Sequence, residues 1–77
     1  MELKEEIRLT IANILEISVD RLGYETEMDE IAEWDSMHNI LILSNLEEKY
    51  DVLFPEDDIF DLVSVNAFAE EISKLIA

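Results

Sequence analysis

Glu33-Trp34-Asp35-Ser36-Met37-His38-Asn39-Ile40-Leu41 is where an aperiodic stretch gives way to helical spacing, and its reading decides the rest of the chain. Asp35 and Ser36 are both good N-caps, because their short side chains offer oxygens to the free N–H groups of a first helical turn. Downstream, Met37, Ile40, Leu41, Leu43, Leu46 and Tyr50 predict a second helix. Its stripe is Met37, Ile40, Leu43 and Leu46. Leu41 stands one step off, where it is either exposed or inside the bundle.

Working back from Asp35, periodicity is missing as far as Ser18, and Gly23 sits where a turn is needed. So long a connection is unusual in a compact domain unless it has a job. Leu22, Tyr24, Met28, Ile31 and Trp34 can pin it across helix ends, so it is expected to be an ordered loop with a helical turn around Met28 to Ala32. Trp34 reads as a loop anchor before it reads as a partner contact. Tyr24 and Tyr50 read as core-edge residues with hydroxyls in water. Before the loop, Leu3, Ile7, Ile11, Ile14 and Leu15 predict a first amphipathic helix over roughly residues 3 to 17, with Ala12 beside the stripe.

Working forward, Pro55 and the stretch near Val52 and Phe54 end the second helix. Glu56, Asp57 and Asp58 suit the first turn of a brief third helix carrying Ile59, Phe60 and Leu62, since negative charge is favoured at a helix N-terminus. Ser64 caps a last helix with Val65, Phe68, Ile72, Leu75 and Ile76 on its apolar stripe. The expected fold is all-α: a small four-helix bundle with three main helices, a short third helix and a long first loop. Residues 1–77 read as one domain.

Composition narrows the function. Twenty acids against five bases give a formal net charge of −15. Eight acids lie between Arg21 and Lys49 and seven between Lys49 and Lys74, with no base in either interval. Such a surface repels nucleic acid and anionic membranes and draws basic partners toward itself. With 49% hydrophobic residues the acidity does not read as disorder. The absence of cysteine excludes disulfides and thiolate metal sites. Asp57, Asp58 and Asp61 could attract cations weakly, but they do not form a calcium loop with its turn glycine. A charged N-terminus and short apolar runs predict a cytoplasmic protein, and a monomer is expected.

The chemistry centres on Ser36. At a helix mouth, free N–H groups and the positive end of the dipole form an anion site suited to a phosphodiester. The serine has no base to make it a nucleophile, since the lone His38 lies two residues along the helix and points to a different side. Catalysis is therefore not expected, and taken alone Ser36 would be an ordinary cap.

The wider pattern changes that weighting. Asp35-Ser36-Met37 resembles the Asp-Ser-Leu attachment signature of the acyl carrier protein family. The resemblance extends to Leu46-Glu47-Glu48-Lys49-Tyr50, to Phe54-Pro55-Glu56-Asp57-Asp58 and to Ser64-Val65, and so covers nearly the whole chain. It implies that Ser36 carries a 4'-phosphopantetheine added from coenzyme A by a phosphopantetheinyl transferase. The terminal thiol would then hold acyl or aminoacyl groups as thioesters. Loading and transferring enzymes with basic patches would dock on Asp35, Met37, His38, Leu41, Glu47, Glu48 and Glu56. Trp34, Met37, His38 and Leu41 depart from the family pattern, the last two standing where fatty-acid members more often place acids. That favours a stand-alone carrier in a dedicated pathway, polyketide-like or aminoacyl, over generic fatty acid synthesis. The alternative function is an acidic helical adaptor that binds a basic partner and never carries an arm.

Overall fold

In a computed structural model describing residues 2–76, three α-helices are joined by segments containing 3₁₀ turns. α1 is Leu3–Leu15, α2 is Ser36–Tyr50 and α3 is Val65–Ile76. The 3₁₀ segments are Val19–Arg21, Met28–Glu30 and Glu56–Asp61. The last of these is the short third helix of the expected bundle. It consists of two tight turns, closed by Asp58 N–H to Pro55 C=O at 3.0 Å and Leu62 N–H to Ile59 C=O at 3.1 Å. No strand forms among the described residues.

α1 makes the chief helix–helix contacts, with both α2 and α3. Ile7, Ile11 and Leu15 from α1 join Ile42, Leu43 and Leu46 from α2 and Val65, Phe68 and Ile72 from α3 in one buried core. Phe54, just beyond α2, meets the Phe68 ring edge-on at 5.9 Å and so closes the α2–α3 side. Phe68 is wholly buried, and truncating such a ring to alanine costs about 3–5 kcal/mol.

Two helices stop the same way. Glu16 after α1 and Asp51 after α2 turn left-handed, at φ 57° and 55°. The next N–H then folds back: Ile17 to Ala12 C=O at 3.1 Å and Val52 to Glu47 C=O at 3.0 Å. This reversal satisfies end carbonyls that would otherwise lack partners. It also ends α1 two residues short of the expected boundary.

The phase of α2 differs from the expected stripe. Its buried face is Asn39, Ile42, Leu43 and Leu46, whereas Met37 and Ile40 are 72% and 62% exposed. Four consecutive apolar residues, Ile40 to Leu43, fit several phases at 3.6 residues per turn, and the buried polar contact of Asn39 selects one. Leu41 is exposed. In α3, Leu75 and Ile76 lie past the last turn that packs on the core and are exposed too. Phe60 points into solvent, while its neighbours Ile59 and Leu62 turn inward. The tyrosine hydroxyls are not free: Tyr24 donates to Glu5 at 2.8 Å and Tyr50 to Glu6 at 3.1 Å.

Candidate functional site

The entry to α2 is built by Asp35 and not by Ser36. Asp35 is the N-cap, and its Oδ1 accepts from the backbone N–H of His38 at 2.9 Å. The same oxygen lies 2.8 Å from His38 Nδ1. The backbone N–H and then the imidazole hold the Asp35 carboxyl below the usual carboxylate range. Ser36 is the first residue of the helix and is exposed, with its hydroxyl left out of the cap. His38 is half-buried with its Nδ1 committed to Asp35, so it is not set up as a base on Ser36.

What holds this entry in place lies beneath it. Trp34 is buried, and its indole N–H donates to Asn39 Oδ1 at 2.9 Å. The Asn39 amide in turn donates to Leu62 C=O at 3.3 Å. Loop, helix and the segment before α3 are thereby joined through one buried side chain. The long loop is fastened again by Met28 N–H to Val63 C=O at 2.8 Å and Asn66 N–H to Tyr24 C=O at 3.0 Å. From α1, the Arg8 guanidinium donates to the carbonyls of Leu22 and, at 2.9 Å, Val19. Arg21 pairs bidentately with Glu33 at 2.8 and 2.9 Å, which draws the Glu33 carboxyl below its ordinary range. That pair is largely exposed, so it orients the loop more than it stabilises it.

The structure gathers only part of the expected docking set near Ser36. Asp35, Met37, His38 and Leu41 all lie within two turns of the α2 N-terminus, and Met37 and Leu41 present 72% and 52% of their surface. Glu47 and Glu48 are on the last turns of the same helix, roughly 17 Å farther along its axis. Glu47 is half-buried, and its carboxylate accepts from Phe54 N–H at 2.8 Å. Glu48 is exposed, as is Glu56 at the start of the third helix. Asn39 and Arg8 position the site without having been singled out in the sequence. Asn39 carried a signal, as the polar residue that immediately precedes the apolar run from Ile40 to Leu43. Nothing in the spacing of Arg8 separates it from surface charge.

The chain's sequence matches the family described as Phosphopantetheine attachment site over residues 5–72. No curated protein sequence matches it. Among solved structures, it superposes with a TM-score of 0.84 on the solution NMR structure of the holo acyl carrier protein from Geobacter metallireducens. The two sequences are 21% identical, and the match covers 99% of this chain and 87% of that one, a likeness of fold.

Proposed function

The chain belongs to the phosphopantetheine-binding family of acyl carrier proteins, which carry substrates without catalysis of their own, and from that premise we propose that Ser36 holds the arm. One observation carries this reading: Ser36 stands exposed at the first position of a 15-residue helix whose cap is already made by Asp35. A free hydroxyl is thus presented where first-turn amides and the helix dipole favour a phosphodiester. The chain has no cysteine, so the thiol that bears the cargo must come with the arm. The cargo is acyl or aminoacyl, held as a thioester on 4'-phosphopantetheine.

The partners in this proposal are a phosphopantetheinyl transferase and enzymes that load and unload the arm. They approach over Asp35, Met37, His38 and Leu41, and basic patches on them are steered by Glu48, Glu56 and the remaining acidic surface. The exposed Met37 and Leu41 support partners chosen by apolar contact, in keeping with a dedicated pathway. The proposal places the carrier in the cytoplasm as a monomer, since a net charge of −15 opposes self-association.

Intact mass after treatment with coenzyme A and a competent transferase tests the assignment. A phosphopantetheine-sized addition that maps to Ser36 and is absent in Ser36→Ala is expected. An arm on Ser18, Ser44, Ser64 or Ser73, or none at all, would overturn it, and the second result would favour the adaptor.

A further inference from the structure

Away from Ser36, a shallow groove of about 790 Å³ runs between the C-terminal end of α2 and that of α3. Val52, Leu53 and Leu75 give it apolar walls, and Glu47, Glu48 and Asp51 form its rim. Leu53 is 80% exposed, an unusual position for a leucine beside so much charge. Among the described residues, no lysine or arginine lines the groove. The two bases nearest in sequence are occupied: Lys49 donates to Thr10 at 3.1 Å over the Tyr50 ring, and Lys74 pairs with Glu71 at 3.0 Å. The negative ends of the α2 and α3 dipoles add to the carboxylates.

We propose that this groove is a second docking surface, occupied by a basic amphipathic segment of a partner protein that seats one large apolar side chain between Leu53 and Leu75. Charge decides the occupant. A second copy of the chain would bring the same carboxylates to the rim, whereas lysines or arginines flanking an apolar side chain match both rim and walls. The lining residue nearest to Ser36 along α2 is Ser44, eight residues or about 12 Å away, and Val52 and Leu53 lie beyond the far end of the helix. A partner held there leaves the Ser36 end free, so a carrier could be retained by one protein while another works on its arm. The inference does not depend on which serine bears the arm.

The test titrates the full-length, isotope-labelled protein with a short synthetic peptide carrying leucines on one helical face and lysines beside them. Saturable amide shifts confined to Ser44–Leu53 and Leu75 are expected. Leu53→Ser should weaken the affinity about tenfold while leaving helix content unchanged, with Leu75→Ser as an independent second variant. Arm attachment at Ser36 should be the same in Leu53→Ser as in the parent, which separates this surface from the attachment site. Shifts spread over the acidic surface as far as Met37–Leu41, or an affinity indifferent to both leucine variants, would overturn the proposal. So would the same amides shifting with protein concentration alone, since the occupant would then be a second copy.

Discussion

Asp35 and Ser36 divide two jobs that either side chain could have done. Asp35 caps the helix, and Ser36 is left with a hydroxyl free for the attachment proposed above. Substitutions should separate the roles. Ser36→Ala should lose the arm and leave the melting temperature close to the parent's, because no cap is removed. Asp35→Ala should keep the hydroxyl and lower the melting temperature by about 4–8 °C, the usual effect of a lost cap in a small domain. The pH dependence has a definite sign. The Asp35 carboxyl is held low by the His38 N–H and ring, so its contribution is present above the ordinary aspartate range, near about 3.9, and is lost as pH falls through the folded value. Melting curves of parent and Asp35→Ala should therefore converge in acid, and a gap that persisted there would mean Asp35 acts through packing. Arg8 is the other residue with an outsized role, since its donors satisfy two loop carbonyls from a half-buried position. Arg8→Ala should cost about 1–3 kcal/mol by chemical denaturation, with the first amides to lose exchange protection near Val19 to Leu22.

Among the elements, α1, the ordered loop and α3 were legible because each rests on one strong signal: a clean stripe, a set of apolar pins, or a capping serine before a stripe. α2 was legible in extent but not in phase. Its run from Ile40 to Leu43 fits more than one face, and the Trp34–Asn39–Leu62 contacts that settle the matter join residues up to 23 positions apart. The mouth of α2 was legible as the start of a helix at Asp35 or Ser36, but which of the two makes the cap needed the helix start to be fixed to one residue. The phase has a consequence for Leu41. At 52% exposure it is not core, so Leu41→Glu should keep the parent's helix content and change arm attachment modestly. Transfer to a cognate downstream enzyme should drop, because a leucine buried in that interface would be replaced by a charge. Equal transfer rates for parent and variant would remove Leu41 from the docking face. Ile42, one residue on and wholly buried, is the matching control: Ile42→Ala should cost about 2–5 kcal/mol.

At the scale of the molecule the governing quantity is charge. The bundle measures 30 × 27 × 19 Å, so a net charge of −15 is crowded onto a body only a few screening lengths across, that length being about 8–10 Å in moderate salt. Salt acts in two opposed ways here: it weakens the ion pairs, which stabilise, and it weakens repulsion, which does not. Among the described residues the pairs made by lysine and arginine are Arg8–Glu5, Arg21–Glu33, Lys49–Glu6 and Lys74–Glu71, so they engage four of the twenty acids. Most are exposed, and such pairs contribute about 0–1 kcal/mol each. Repulsion among the remaining acids acts across the whole body and should win. The melting temperature followed by circular dichroism is therefore expected to rise from low to moderate sodium chloride. Magnesium at the same ionic strength should give a similar rise, because no group of three or more acidic or histidine side chains among the described residues could hold a metal ion. A flat or falling melting temperature in sodium chloride would refute the repulsion argument. A rise with magnesium alone would put the stabilisation in a bound ion instead of in screening.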